Sequence, residues 1–531
     1  MTTLYKIHPA IGIGRVGSST ESYFIQSEVS GGSPFEIDTG GNEIAFQGYK
    51  DANKLIRRQG VRFRIFEYSD DNKDGEFQVV REITSDIAKI SWSVELANRK
   101  SAELHMTSIQ GPEGEGIVVP NPSVPSVYRN NPSTGGSRED LVGKVNLNAT
   151  SEKQSFPDRQ FGTIQGEKVF LGETTTDIMG RLIVVGGEGK AGSWKTPAPI
   201  MPNYLNNPDW YDDTADGKVD AEIEFVSGGD PIQVQRGAWV IIGPPDFAPD
   251  ITPIITLADV IQDRVGSPPS NVSFKLDILP IIERAASYSW VNDHAKRHWD
   301  RFMELLNDPE EMLKLSSNSD VHLTDRSEIH KRILDIQKNR SHIREFRFTQ
   351  TQKRNLFEWQ SGNFIPDADA SRLSPSLPLD LDLSALNSTI GRGFFPGIEA
   401  GYIMTYSSLY QEPFRITRGS FEDFDGKRKK IESGMLTSRM AVPWQADFVE
   451  CQHNWWPAQR PDAVRFNEQG DPLPNGTRWD RKIVAGGSPA SPESHQNMVD
   501  HFAKLGVIEK MEIGGKTIYA EVGRASDEEF D

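Results

Sequence analysis

The chain has 531 residues and a formal net charge of −18, with 11 Trp and 26 Phe. This aromatic content can form a large core, which excludes a mainly disordered chain. The excess of acidic residues repels the phosphate backbone of nucleic acids, so we expect no nucleic-acid partner. Apolar runs are far shorter than the ~20 residues of a membrane span, so we expect no membrane partner. No classical signal peptide is visible, which predicts a cytoplasmic protein or one secreted without such a signal.

The first 275 residues are predicted to be rich in β-strands. Apolar and polar residues alternate from Val61 to Phe66 and from Ala221 to Phe225, as in half-buried antiparallel strands. Residues 12–17 match GxGxxG, but no amphipathic helix follows, so a Gly-rich turn is predicted rather than a dinucleotide site. Residues 185–191 lack the Ser or Thr of a phosphate loop and are predicted to form a tight turn after a strand.

The acidic stretch from Asp212 to Asp220 is predicted to be a loop. Its four aspartates are Asp212, Asp213, Asp216 and Asp220. Carboxylate oxygens of this kind can bind Ca²⁺, but the glutamate at the twelfth position of an EF-hand is missing. A solvated loop is therefore the default interpretation, with a cation site as the alternative.

Residues 276–360 are predicted to be helical. Apolar residues recur at helical spacing from Asp277 to Asn307, and again from about Asp325 to Trp359. His294 and His298 stand four residues apart on the first predicted helix, a spacing that can bind a metal, although no third ligand is evident. We expect a surface or interface pair at these histidines.

Residues 361–531 are rich in Gly, Pro and aromatic residues, with a last helix predicted from about Ser494 to Leu505. Regular βαβ alternation is missing, so we predict an α+β fold. It would be a large β-rich globular unit with a long helical segment in the middle and an irregular, aromatic-rich C-terminal part. The parts 1–275, 276–360 and 361–531 are either separate domains or one integrated unit.

Cys451 is the only cysteine, which excludes an intrachain disulfide and cysteine-rich metal clusters. Asp447 precedes it by four residues, so the two side chains share a face if the segment is helical. Trp444, Trp455 and Trp456 lie nearby in the sequence. A packing cluster is one interpretation. The other is chemical, because a thiol, a carboxylate and an indole are the groups needed to join an oxidised tryptophan to sulfur.

Several ordered motifs, spread over nearly the whole chain, resemble those of one enzyme family. They are residues 7–17 (IHPAIGIGRVG), 182–187 (LIVVGG), 206–217 (NNPDWYDDTADG), 243–249 (GPPDFAP), 395–399 (FPGIE) and 443–451 (PWQADFVEC). The family is that of the lysine ε-oxidases and glycine oxidases, whose cofactor is cysteine tryptophylquinone.

The resemblance implies an oxidase that uses O2 to convert a small primary amine or amino acid to an aldehyde or oxo product, releasing ammonia and hydrogen peroxide. Its quinone is built from a Cys and a Trp of the chain itself, usually with a flavin-dependent maturation enzyme as partner. Cys451 would be the cysteine of this cofactor, and Asp447 occupies the position of the aspartate that helps to build it. A homo-oligomer is possible.

The family's crosslinked tryptophan lies in a stretch that resembles residues 498–506 (MVDHFAKLG), where this chain has Phe502. Trp479 is the best remaining candidate for the crosslink, since Trp455 and Trp456 are expected to pack in the core. One alternative is a quinone-free enzyme with a pocket formed by Asp447, His453, Cys451 and His501. Another is a non-catalytic binding protein.

Overall fold

A computed structural model describes residues 2–70, 77–110, 116–124, 127–152, 159–266, 269–293, 296–338, 347–368, 377–391, 400–451 and 456–530. The fold is α+β and rich in β-structure, which confirms the predicted class. The largest element is a mostly antiparallel sheet. Its strands are Thr3–His8, Ile11–Arg15, Tyr23–Ile25, Phe35–Ile37, Glu43–Ala45, Arg58–Ser69, Gln78–Ile83, Ala88–Asn98, Gly143–Thr150, Gly172–Thr176, Leu182–Gly186, Ala215–Phe225, Ile232–Gln233 and Ala238–Gly243.

The strand Ala88–Asn98 shows why these segments pair. Its residues alternate between buried and exposed over most of the strand, as the period-two pattern of a half-covered sheet requires. It pairs in antiparallel register with Gly143–Thr150 on one side and Ala215–Phe225 on the other. The order then continues through Ala238–Gly243 and Ile11–Arg15, which are parallel, to the long strand Arg58–Ser69.

The GxGxxG segment lies in this sheet, so the predicted Gly-rich turn is wrong. Gly12 and Gly14 belong to the buried strand Ile11–Arg15. A Cβ on Gly12 would overlap the side chains of Val61 and Phe63, so only glycine allows the strand to approach them. The glycines therefore serve close packing of the sheet.

Smaller two-stranded pairs surround the sheet in the described part of the chain. They are Met106–Gln110 with Gly116–Pro120, Gly162–Ile164 with Glu167–Val169, Ala191–Ser193 with Trp210–Asp212, Val272–Ser273 with Phe364–Ile365, Tyr410–Glu412 with Arg415–Ile416, Ser420–Glu422 with Arg428–Lys430, and Val507–Ile513 with Lys516–Val522.

The α-helices are concentrated in the middle of the chain. They are α1 (Leu257–Val265), α2 (Leu279–Ser287), α3 (Lys296–Leu306), α4 (Pro309–Ser316), α5 (Leu323–Lys338), α6 (Gln350–Gln360), α7 (Leu377–Asn387), α8 (Trp444–Glu450) and α9 (Pro492–His501).

Both long helices predicted in the middle segment are interrupted. The first is divided into α2, which ends at Ser287, and α3. Between them the carbonyl of Val291 accepts hydrogen bonds from the backbone N–H groups of Asp462 and Ala463. The second is divided into α5 and α6. Thr349 caps the start of α6, with its hydroxyl accepting from the N–H of Gln352. His294 lies outside the described residues, as does the side chain of His298.

One buried apolar cluster contains residues from all three predicted parts of the chain, from Tyr5 through Trp359 to Phe530. The division at residues 275 and 360 stays a prediction. Within the described residues, every helix is too short or too polar to cross a membrane.

Candidate functional site at Cys451

Helix α8 presents the only thiol of the chain beside a carboxylate. Pro443 precedes the helix, and Cys451 follows its last turn and donates its backbone N–H to the carbonyl of Asp447. The Cys451 Sγ also donates to Asp447 Oδ1, at 2.8 Å. Asp447 is fully buried and Cys451 is 8% exposed. The i, i+4 spacing thus places the two side chains on one helical face.

The surroundings of Cys451 favour the neutral thiol. Burial raises the pKa of Cys451 most, the negative charge of Asp447 raises it further, and Glu450 adds to this, while Arg460 opposes them. A thiolate is the nucleophilic form of cysteine, so Cys451 is unreactive until a base removes its proton. Asp447 Oδ1 lies within hydrogen-bond distance of that proton.

A buried histidine connects α8 to α9. The Nε2 atom of His495 lies 3.1 Å from Glu450 Oε2, and its Nδ1 lies 3.0 Å from the carbonyl of Met201. Because a carbonyl can only accept, Nδ1 donates to Met201, and Nε2 faces the Glu450 carboxylate. This acid–base pair adjoins Cys451 in sequence, and the sequence analysis had missed it.

The charges of this group of residues also act on Tyr204. Burial raises the pKa of the Tyr204 phenol, and the charges of Asp447, Cys451 and Glu450 raise it further. The phenol therefore keeps its proton at neutral pH and can act as a hydrogen-bond donor.

Trp479 lies in the core and reaches α8 through two intermediaries. Its indole N–H donates to the carbonyl of Gly506 at 2.9 Å, and its ring centroid lies 4.7 Å from that of Phe247. Phe247 in turn contacts Phe448 of α8, at 6.1 Å between centroids. The Arg460 guanidinium lies 5.2 Å from the Trp479 ring, and Arg460 Nε donates to the carbonyl of Phe448.

Phe502 follows α9 and packs against the first turn of α8. Its ring centroid lies 5.3 Å from that of Trp444 in an edge-to-face arrangement. The ring also covers Gly189, where an added Cβ would come within 2.5 Å of Phe502 Cζ. The stretch 498–506 therefore contacts the helix that leads to Cys451, and the residue at that contact is a phenylalanine.

The two remaining predicted site histidines differ in what the structure shows. His453 lies outside the described residues, as does Trp455. His501 is half-buried, with its ring 6.1 Å from that of Phe530, and burial lowers its pKa. Its Nδ1 is buried without a hydrogen-bond partner among the described residues.

The predicted acidic loop is wrong, because its aspartates lie in or between strands. Asp212 ends the strand Trp210–Asp212, and its Oδ2 lies 2.7 Å from the Nζ of fully buried Lys100. Asp216 accepts hydrogen bonds from Trp239 and Thr437 within the sheet. Within the described residues, no group of three His, Cys, Asp or Glu side chains could hold a metal ion.

Asp212 and Asp213 instead support α8. Asp212 Oδ2 accepts the backbone N–H of Trp444, the first residue of the helix, at 3.0 Å. Asp213 Oδ2 accepts the N–H groups of Glu188 and Lys190, and Gln445 Nε2 donates to the carbonyl of Gly189 between them. Residues 187–190 form the turn predicted after the strand Leu182–Gly186.

Two family profiles match the sequence. Residues 8–242 match the profile described as L-lysine epsilon oxidase N-terminal, and residues 333–469 match the L-lysine epsilon oxidase C-terminal domain. The chain belongs to the L-lysine ε-oxidase family. This makes it an oxidoreductase of the amine-oxidase class. The C-terminal match includes Asp447 and Cys451 but ends before Trp479, His501 and Phe502.

Known members of the L-lysine ε-oxidase family resemble the chain over most of its length. The L-lysine 6-oxidase of Marinomonas mediterranea is 27% identical over 538 aligned residues, which cover 84% of this chain and 70% of that protein. A crystal structure of the L-Lys ε-oxidase from the same organism has a TM-score of 0.71 at 22% identity, covering 98% of this chain and 94% of the other.

A second crystal structure, of the Schiff base intermediate of that enzyme with L-Lys, has a TM-score of 0.71 at 21% identity and covers 98% of this chain and 95% of the other. At these identities the structural likeness shows that the fold is shared.

Proposed function

We propose that the chain oxidises a small primary amine or amino acid with O2, releasing ammonia and hydrogen peroxide, by means of a cysteine tryptophylquinone that includes Cys451. The observation that carries this proposal is the buried pair of Cys451 and Asp447, within the segment that matches the family's C-terminal profile. L-Lysine is the first substrate to test, because the similar protein from Marinomonas mediterranea is an L-lysine 6-oxidase.

The thiol half of this cofactor fits the site. Formation of a thioether requires that the thiol lose its proton, and Asp447 Oδ1 is within hydrogen-bond distance of it. Burial keeps Cys451 protonated until that step and protects it from other oxidants. Asp447 is accordingly the residue we propose as the base in cofactor formation, with a flavin-dependent enzyme as the maturation partner.

Trp479 is the crosslink partner we propose. It is fully buried, and Phe247 and Arg460 lie between its ring and α8, so its indole would have to reach past them to bond Cys451. Its indole N–H is held by the Gly506 carbonyl, which fixes the orientation of the ring. Arg460 also bonds Asp480 at 2.5 Å, so its charge is partly balanced where it faces the indole.

Once formed, the quinone would supply an electrophilic carbonyl and a sink for two electrons. The chain's own residues would manage protons around it. Glu450 and His495 form a hydrogen-bonded carboxylate–imidazole pair next to Cys451, and both are group types that general acid–base catalysis uses.

Peptide mass spectrometry after co-expression with the cognate flavoprotein tests this proposal. The expected product is a single crosslinked species in which the Cys451 peptide is joined to the Trp479 peptide with two added oxygens. Trp479→Phe should abolish it, whereas Trp359→Phe, at an equally buried indole, should not. Separate, unmodified Cys451 and Trp479 peptides would contradict the proposal. A peroxide assay with L-lysine and other primary amines then defines the substrate.

Phe502 favours a second candidate, a quinone-free enzyme. It occupies the contact with Trp444 where the family stretch suggests a tryptophan, and a phenyl ring cannot form a tryptophylquinone. Asp447, His453, Cys451 and His501 would then provide acid–base or metal-binding groups. Metal analysis of the purified protein and the activity of Cys451→Ala discriminate this candidate. No bound metal together with unchanged activity would eliminate it.

A further inference from the structure

The motif of residues 206–217 (NNPDWYDDTADG) contacts the start of α8 through its side chains. Asn207 Nδ2 donates to the carbonyl of Val442 at 3.0 Å, and Asp212 Oδ2 accepts the N–H of Trp444 at 3.0 Å. The two contacts join residues that are 235 and 232 positions apart in the sequence. The residues that lead into the helix are therefore held by a distant segment of the chain.

Helix α8 is too short to be stable through its own backbone hydrogen bonds. It has seven residues, whereas isolated helices below about 12–15 residues are marginal in water. Its N-cap position is occupied by Pro443, whose ring offers no acceptor to the first N–H groups of the helix. Asp212 supplies an acceptor from another part of the chain and so takes the place of an N-cap side chain.

The carboxylate of Asp212 suits this place electrostatically. Lys100 Nζ lies 2.7 Å from the same oxygen and balances its charge, and both side chains are fully buried. A hydrogen bond from a backbone N–H to a carboxylate is charge-assisted, and a negative charge interacts favourably with the N-terminal end of a helix. Asp212 therefore holds the first turn of α8 by a strong contact.

The other end of the same helix leads to the thiol. Cys451 donates its backbone N–H to the carbonyl of Asp447 at 2.8 Å, and its Sγ donates to Asp447 Oδ1 at 2.8 Å. Asp447 is the fourth residue of the helix, so its position depends on the first turn. Displacement of that turn would therefore displace the carboxylate that the sulfur contacts.

We propose that Asp212 and Asn207 are positioning residues for the Cys451 thiol, because they fix the start of α8 and thereby hold Asp447 against the sulfur. This role requires no turnover, since it rests on contacts within the folded chain. Its consequence for the cofactor rests on the proposed function. Without the two contacts, Asp447 would accept the thiol proton less often, and less of the protein would become crosslinked.

Two buried aspartates of the same motif provide a matched test. Asp212 and Asp216 are both fully buried, but Asp216 accepts hydrogen bonds from Trp239 and Thr437 and not from α8. In protein made without the maturation enzyme, Asp212→Ala should increase both the deuterium uptake of a peptide covering α8 and the rate of Cys451 alkylation, each several-fold. The alkylation profile should also move to lower pH, because burial and the adjacent carboxylate raise the pKa of Cys451. Asp216→Ala should leave all three near the parent values.

Asn207→Ala provides a second test that changes no charge, and it decides the question if Asp212→Ala does not fold. It removes the hydrogen bond to the Val442 carbonyl and should raise the same two rates. Asn355→Ala is its control, at a buried amide of α6 that bonds Asp277, and should raise neither rate.

Parent-like deuterium uptake and alkylation in either Asp212→Ala or Asn207→Ala would overturn the proposal, as would an equal increase in Asp216→Ala. Faster uptake and alkylation in the first two variants alone support the positioning role. That result stands even if the parent protein, co-expressed with the flavoprotein, never forms the crosslink, which contradicts only the proposed function.

Discussion

The Sγ of Cys451 lies 2.8 Å from Oδ1 of Asp447, with both side chains buried on one face of α8. A carboxylate at this distance disfavours a second negative charge, so Asp447 holds the pKa of the Cys451 thiol above its usual range, in addition to the larger effect of burial. The same carboxylate is the nearest acceptor for the thiol proton. One residue thus keeps the sulfur neutral at rest and can remove its proton when a crosslink forms.

Asp447→Asn should lower the pKa of Cys451, because the neighbouring negative charge that raises it is removed. The rate of thiol alkylation followed against pH, in protein made without the maturation enzyme, measures this at one site, since Cys451 is the only cysteine. Glu450→Gln is the matched control and should lower the pKa less, because Glu450 raises it less than Asp447 does. A pKa that rises or stays constant in Asp447→Asn would show that the carboxylate does not act on the thiol.

Lys100→Met should destabilise the protein by about 3–5 kcal/mol, because it leaves Asp212 as a buried charge without its cation. The Lys100 Nζ lies 2.7 Å from Asp212 Oδ2, and both side chains are fully buried. Urea denaturation measures the loss. Lys144→Met removes a cation at the same 2.7 Å from Glu95, but with side chains 42% and 27% exposed, and should cost only about 0–1 kcal/mol. Equal losses in the two variants would contradict a structural role for the buried pair.

The sequence predicted the β-rich architecture well, because alternation of apolar residues directly reports a half-covered sheet. The strand Ala215–Phe225 contains one of the alternating runs. Helix length was predicted less well. Apolar periodicity shows which side of a segment is buried, but not whether its backbone hydrogen bonds continue. The first predicted helix is interrupted after Ser287, and its apolar spacing carries no sign of this. A local signal, the capping pattern from Thr349 to Gln352, could have located the start of α6.

At the site, the sequence predicted only what is local. The i, i+4 spacing of Asp447 and Cys451 required nothing more than a helix. The contact of His495 with Glu450 joins residues 45 positions apart, and that of Lys100 with Asp212 joins residues 112 apart. Such pairs depend on the packing of whole elements, so composition and spacing carry no signal for them.

Gly189→Ala should destabilise the protein more than Gly228→Ala does. Both glycines have positive φ, +73° and +92°, so backbone strain should destabilise an alanine by a similar amount, about 1–2 kcal/mol, at each position. Only at Gly189 would the new Cβ also meet Phe502, whereas nothing lies within 4 Å at Gly228. Denaturation of both variants gives the difference between their free energies of unfolding. The double variant Gly189→Ala with Phe502→Leu should be destabilised less than Gly189→Ala alone predicts. Equal destabilisation by the two substitutions would mean that Phe502 does not crowd the Cβ of residue 189.

Glu509→Gln should stabilise the protein at pH 8 and have little effect at pH 4. Burial, together with the charge of Asp250, raises the pKa of Glu509 from 4.5 to about 7. Between these two values the folded chain holds a proton that the unfolded chain releases, so the parent protein loses stability as pH rises through this window.

Glutamine cannot ionise and therefore avoids that loss of stability, which is on the order of 3 kcal/mol once the pH exceeds 7. Urea denaturation of parent and variant across pH 4 to 8 gives the difference curve. Glu512→Gln on the exposed side of the same hairpin is the control and should show no comparable rise. Burial lowers the pKa of Lys50 to about 7. Ionisation of Lys50 therefore changes the free energy of unfolding mainly above pH 7, so it does not produce a rise in the difference curve between pH 4.5 and 7. A difference that is constant with pH would contradict a raised pKa at Glu509.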